Sequence, residues 1–289
     1  MPCCELPAGK RLFLESSFPF CPVFVRFYHL QPYNIYMKSF YFISHFSSSC
    51  LSLLTGGQEC LCCGKYTITV PLCPECQEER LFSWIPKSQR CSCCGKELVS
   101  EIEVCTLCRN QRLLTHTKQV LPIHSYRLWK KDLLFAWKTA GMRQLSPVFA
   151  RLMADFLKKE LGNLGNIPLV PVPPRKGKIR QRGWDQVQEL CLYLKKYHGF
   201  PVLPLLERQS LEQQKKLDRQ GRLDNLGKAY SMAKKFGRES GKKSQAQLPS
   251  RVILIDDILT TGVTLETCAR ALQEAGVEEV YSCTLFYVT

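Results

Sequence analysis

Val252-Ile-Leu-Ile-Asp-Asp-Ile-Leu-Thr-Thr-Gly-Val-Thr264 is the stretch that decides how this chain is read. Val252 to Ile255 are four aliphatic residues without a polar interruption, the pattern of a strand buried on both faces. Two adjacent acids, Asp256 and Asp257, close that run. A Thr-Thr-Gly turn follows, and a helical pattern then runs from about Thr264 to Ala275. In a strand–loop–helix unit, consecutive loop N–H groups form a nest for an anion, and the helix N-terminus adds positive potential. Thr260, Thr261 and Thr264 offer hydroxyl donors, Gly262 permits close backbone approach, and with Val263 the loop carries no charge. Such a loop suits a phosphate wrapped by hydrogen bonds.

The two acids would repel that phosphate unless they faced something else. The vicinal hydroxyls of a ribose meet the need, because a carboxylate accepts two hydrogen bonds well. A sugar 5-phosphate over residues 260–264 would bring its 2- and 3-hydroxyls near Asp256 and Asp257. A divalent metal shared with a pyrophosphate would offset the negative charge. Taken singly, Asp257 is also an ordinary turn residue and Thr264 an ordinary N-cap. The whole string, four aliphatics and then DDxxTTGxT, is far more specific than its parts.

Outward from this stretch, strands and helices alternate. VLPIHSYR (120–127) reads as a strand; 128–140 and 147–161 read as helices with apolar residues three and four apart. IPLVPVPP (167–174) reads as a buried strand ending in a loop, and 175–182 is intensely basic. A helix is expected over 185–197, a strand over 200–206, a charged and Gln-rich excursion over 207–236, a polar loop over 237–250 and a last strand over 279–288. This alternation implies parallel βαβ units and a three-layer α/β domain over 118–289.

The chain has 289 residues, 45% of them hydrophobic, which is enough for one large domain or two modest ones with a real core. The formal charge of +15 favours polyanions such as nucleic acid, acidic headgroups or phosphorylated small molecules, and selects none of them. Residues 1–57 form an extension expected to be poorly ordered or partly a mis-assigned start, with Met37 as an alternative initiator. The most apolar run, Phe40 to Leu54, contains His45 and five serines, so no integral membrane insertion is expected.

Seventeen cysteines are present, and eight fall into four Cys-x-x-Cys pairs inside 58–112. Cys60-Leu-Cys-Cys63-Gly-Lys with Cys73-Pro-Glu-Cys76 matches Cys91-Ser-Cys-Cys94-Gly-Lys with Cys105-Thr-Leu-Cys108. A Cys-x-x-Cys turn puts two thiolates within reach of one tetrahedral ion, and four thiolates leave no position for water. The repeat favours two sequential structural zinc sites over an interleaved pairing or iron–sulfur ligation. Metal thiolates need a reducing compartment, so a cytoplasmic location is expected. On this reading the cysteine module has no part in the chemistry of the Asp-Asp loop.

VILIDDILTTGVT resembles the phosphoribosyl pyrophosphate (PRPP) motif of type I phosphoribosyltransferases. With the cysteine module, the LVPVPP strand, Arg182-Gly-Trp-Asp-Gln186, Arg208 and Arg222-x-x-Asn225, roughly residues 58–289 resemble the ComF (ComFC or GntX) competence family. The resemblance implies a parallel sheet flanked by helices, with PRPP and Mg²⁺ at its carboxyl edge. It implies Asp256 and Asp257 on the ribose, residues 260–264 on the 5-phosphate, and Arg175 and Lys176 on the pyrophosphate. It also implies a hood over 207–236. Family members read Arg-Gly-Phe-Asn-Gln where this chain has Arg-Gly-Trp-Asp-Gln, which adds a charge at Asp185.

Two functions follow as expectations. One is transfer of the phosphoribosyl group to a nucleophile, with positioning and charge neutralisation carrying most of the catalysis. No general base is evident for it. The other is a non-catalytic competence factor that binds single-stranded DNA beside other DNA-uptake proteins, with PRPP as a regulatory ligand. The basic loop and Trp84, Trp129 and Trp184 as stacking residues would serve that role. A purely structural protein with a vestigial site is a third, weaker expectation.

Overall fold

The computed structural model describes residues 57–162, 167–175, 177, 179, 183–208, 229–234, 236 and 248–288. The extension, the alternative initiator, Lys176, Arg182, and Arg222 and Asn225 of the expected hood lie outside the described residues.

A four-stranded parallel sheet forms the centre. Its strands are β3 (Gln119–Ser125), β8 (Glu279–Tyr287), β7 (Arg251–Leu259) and β4 (Leu169–Pro171), in that spatial order. β7 is interior, which is why its aliphatic run is continuous. Ile253 and Ile255 pack with α3 (Trp129–Lys138), α4 (Leu145–Leu161) and α5 (Gln186–His198). Val252 and Leu254 face the other way, onto Leu265, Cys268 and Leu272 of α6 (Val263–Glu274). Side-chain alternation in one strand therefore feeds two separate cores, one on each face.

β7 does not stop at the acids. It continues through Asp256 and Asp257 to Leu259, because β8 goes on pairing with it as far as Leu259 opposite Tyr287. The expected strand 200–206 is also not one element. Val202 forms a single parallel bridge with Leu169 outside β4. Leu206–Arg208 (β5) instead pairs antiparallel with Tyr230–Met232 (β6), so the excursion leaves and returns through adjacent strands.

The connections reverse direction at one place. From β4 the chain passes through α5 outward to Val202; from β7 it passes through α6 to β8 on the opposite side. The carboxyl ends of β4 and β7 thus flank a topological switch point, where open α/β sheets leave a crevice for ligands. Val172 N–H still donates to Ile255 O at 2.9 Å, so β4 leaves the sheet beside Ile255 while β7 runs on to Leu259.

The cysteine-rich segment wraps the β3 edge. It carries the short strands β1 (Gln58–Glu59) and β2 (Tyr66–Thr67) and the short helices α1 (Pro74–Cys76) and α2 (Thr106–Asn110). Cys60, Cys73, Cys76 and Leu81 join the α4 side of the sheet, whereas Cys91, Cys94, Cys105 and Leu114 join the α6 side. His124 of β3 secures the first half. Burial and nearby Lys130 push its pKa down to about 3, so the ring is neutral. Nε2–H then donates to Leu81 O at 2.7 Å, and Nδ1 accepts from Lys130 Nζ at 3.3 Å. Pro122 lacks an N–H, as suits an edge strand, and the segment covers that edge. No helix among the described residues is long and apolar enough to cross a membrane.

Candidate functional site

The loop Thr260–Gly262 opens at the carboxyl end of β7, and α6 begins at Val263. Gly262 is the N-cap at φ 91°, a left-handed conformation that glycine adopts without steric cost. The cap position thus falls on Gly262, and Thr264 lies inside the first turn. No acceptor among the described residues takes the backbone N–H of Thr261, Gly262 or Thr264, and Val263 N–H reaches only Thr261 Oγ1 at 3.5 Å. A run of unfilled donors at a helix start, in a loop with no charged side chain, is an anion cradle.

Asp256 and Asp257 are consecutive in a strand, so their side chains leave on opposite faces. Asp257 is buried on the α5 side, where its Oδ2 lies 2.7 Å from Lys138 Nζ and accepts from Gln186 Nε2 at 2.6 Å. Asp256 is half-buried, and its Oδ1 accepts the Asp257 N–H at 2.8 Å. Burial, and after it the Asp257 charge, pushes the Asp256 carboxyl up to about 8. Two adjacent acids beside an anion cradle are tolerable on these terms. One is paired with a lysine, and the other is mostly protonated at neutral pH.

Asp185-Gln186 explains the motif it sits in. Asp185 is the N-cap of α5, and its Oδ1 accepts from Val187 N at 3.1 Å and Gln188 N at 3.0 Å. Asn and Asp serve equally as N-caps, so an Asp in place of the Asn of the resembled pattern costs little. Gln186 then reaches Asp257. Trp184 is buried beside Trp137, with ring centroids 6.3 Å apart, so it is a core residue and not a stacking platform for bases. Trp84 and Trp129 are half-buried, and Trp84 lies edge-on to Phe156 at 5.6 Å.

α3, α4 and α5 are locked together beneath the acids. Trp137 Nε1 donates to Ser146 Oγ at 2.8 Å, Ser146 Oγ to Glu189 Oε1 at 2.6 Å, and Arg143 Nε to Glu189 Oε2 at 2.6 Å. This network fixes the helices that carry Lys138 and Gln186. Beyond the end of β4, Pro173 and Pro174 lead into the following loop and Arg175 is exposed.

The cysteines assemble as two sequential tetrads, Cys60/Cys63/Cys73/Cys76 and Cys91/Cys94/Cys105/Cys108, each with its sulfurs within 4.8 Å of one another. Cys63 Sγ to Cys73 Sγ is 3.6 Å and Cys94 Sγ to Cys105 Sγ is 3.8 Å. A tetrahedron of zinc–sulfur bonds of about 2.3 Å has an edge of about 3.8 Å, so the sets fit one such ion each. The repeat extends to the backbone. Cys73 N–H donates to Cys60 Sγ and Cys105 N–H to Cys91 Sγ, both at 3.3 Å. Burial raises these thiols, but such N–H bonds outweigh it at Cys60 and Cys91, which fall to about 7. Burial dominates at Cys73 and Cys108, which rise to about 11 and about 12. Four cysteine sulfurs gathered this closely are a donor set suited to a soft dication, whose charge would offset that of the thiolates.

Lys138 carried no sequence signal beyond its place in the last turn of an amphipathic helix. Gln186 lay in a quoted motif, but without an assigned partner.

Residues 229–289 match a family model described as a phosphoribosyl transferase domain. Over 244 residues, 78% of this chain, the sequence is 27% identical to the competence protein ComFC of Streptococcus pneumoniae (strain ATCC BAA-255 / R6), and the alignment spans 99% of that protein. The chain is related to a competence protein. β7, the loop and α6 all lie within the stretch that matches the phosphoribosyl transferase model.

Proposed function

We propose that this chain binds PRPP with Mg²⁺ at the β4/β7 crevice and acts in DNA uptake during natural competence. The observation that carries the reading is the run of unfilled N–H donors at Thr261, Gly262 and Thr264, inside the matched domain and at the switch point of the sheet. In this reading residues 260–264 hold the 5-phosphate, Asp256 and Asp257 turn toward the ribose hydroxyls, and Arg175 with Lys176 neutralises the pyrophosphate. The carboxylates and a bound diphosphate are hard oxygen donors of the kind Mg²⁺ takes, and the ion would neutralise charge on the leaving group. Each cysteine tetrad holds one structural zinc ion. Calorimetry with PRPP and Mg²⁺ tests the binding, and pyrophosphate release with candidate nitrogenous bases tests transfer. Absence of heat with metal-loaded protein would sink the reading.

A second reading, single-stranded DNA binding with PRPP as a regulatory ligand, is favoured by two observations. The chain carries +15 formal charges. The two described histidines nearest the sheet edge are also committed elsewhere: His116 Nδ1 lies 2.6 Å from Glu266, and His124 is buried and neutral, so neither serves as a free general base. Binding to an oligonucleotide that weakens steeply with added salt would support this reading; affinity indifferent to salt would eliminate it.

A further inference from the structure

The phosphate loop rests on the cysteine segment as well as on the sheet. Lys96 Nζ donates to Thr260 O at 3.3 Å and to Val288 O at 2.6 Å. Lys96 follows Cys94-Gly95 in the second Cys-x-x-Cys-Gly-Lys turn. Gly95 is pressed so closely onto Val120 O and Pro122 that a Cβ there would collide, which seats the turn on the β3 edge. Glu97 N–H donates to Tyr287 Oη at 3.3 Å, and the Leu114 side chain lies 3.1 Å from where a Cβ of Gly262 would be. Glu266, in the first turn of α6, accepts from Thr115 N at 2.9 Å, Thr115 Oγ1 at 2.6 Å and His116 N at 3.2 Å. The first turn of the repeat offers nothing similar: Lys65 is exposed and a Cβ at Gly64 would meet no atom within 4 Å.

The contact with Thr260 has a geometric consequence. A trans peptide holds its C=O and N–H on opposite sides. Pinning Thr260 O to the ammonium therefore turns the Thr261 N–H away from Lys96, and that N–H is one of the unfilled donors. Lys96 also brings a positive charge to a loop that has none of its own.

We propose that Lys96 is a positioning residue for the phosphate loop, so that the second cysteine tetrad, and not the first, sets the affinity for a sugar 5-phosphate. This rests on the reading of residues 260–264 as a phosphate loop. The two tetrads look equivalent in sequence and differ in function because only one abuts the crevice.

The test is calorimetry of the full, metal-loaded chain with ribose 5-phosphate. Lys96→Met is expected to weaken binding about ten-fold, the scale of one charge-assisted hydrogen bond. Lys96→Arg, which keeps charge and donors, is expected to recover most of it. Lys65→Met, at the matching position of the first turn, is expected to bind as the parent does. Metal content reports on folding; if Lys96→Met loses metal, Lys96→Gln must show the same loss of affinity. Binding within two-fold of the parent in the metal-loaded variant, or an equal loss in Lys65→Met, overturns the proposal. If the parent binds no ribose 5-phosphate at all, the phosphate-loop reading itself fails and takes the proposal with it.

Discussion

Lys138 Nζ lies 2.7 Å from Asp257 Oδ2, with the carboxylate side chain only 5% exposed and the lysine 34% exposed. Removing the cation would leave a buried carboxylate with one hydrogen bond, from Gln186. Breaking a fully buried pair costs about 3–5 kcal/mol, and the partly wet lysine lowers that to about 2 kcal/mol. Lys138→Met should therefore reduce denaturant stability by about that amount, and adding Asp257→Asn should restore most of it. A double variant no more stable than Lys138→Met would show that the lysine acts through packing instead.

Asp256 gives the site a pH dependence. Its folded pKa, about 8, stands above the ordinary value of 3.8. Between those values the folded chain holds a proton that the unfolded chain has released. The contribution of Asp256 to stability is therefore full below about pH 4 and is lost as pH rises toward 8. Melting temperature should decline over this window, and Asp256→Asn should flatten the decline. A ligand whose hydroxyls need the ionised carboxylate should also expel a proton on binding near pH 7. Binding enthalpies measured in buffers of different ionisation heat will detect it, and equal proton release from Asp256→Asn would assign it elsewhere.

Asp185 caps α5 by accepting the Val187 and Gln188 N–H groups, a role that an Asn side-chain carbonyl fills equally well. Asp185→Asn should leave stability within a few tenths of a kcal/mol, while Asp185→Ala should cost about 1 kcal/mol. Urea titration of the three proteins checks this, and a large loss in the Asn variant would point to a role for the carboxylate beyond the cap.

The tetrads differ in exposure. Cys63 is exposed, whereas all members of the second set are buried except half-buried Cys108. A thiol reagent titrated into metal-loaded protein should release two metal ions per chain in two phases. The faster phase should come from the first tetrad and be missing in Cys63→Ser. Because each tetrad contributes cysteines to one core, release of the second metal should coincide with loss of tertiary structure. A single phase would show that the two sites open together.

Local signals made much of this protein legible. The unbroken Val252–Ile255 run, the Thr-Thr-Gly loop and the helical spacing after it specify a buried strand, a donor-rich turn and a helix within thirteen residues or so, because hydrogen-bond periods act over that range. The cysteine spacing likewise grouped the sulfurs, since a Cys-x-x-Cys turn fixes its geometry locally. The helices over 129–138, 145–161 and 186–198 fall within a residue or two of their apolar periodicity.

Sequence alone determined that a parallel α/β unit would present a donor-lined loop behind two acids. Tertiary structure decided what those acids face. β8 pairing carried β7 on to Leu259, and strand alternation then sent Asp256 and Asp257 to opposite faces. Helix packing brought Lys138 and Gln186 to Asp257 from distant parts of the chain. Lys65 and Lys96 are indistinguishable in their repeats, yet only Lys96 reaches the loop. Those pairings depend on strand order and on which face each crossover takes, and both are settled by burial of two cores at once, not by the composition of any one segment.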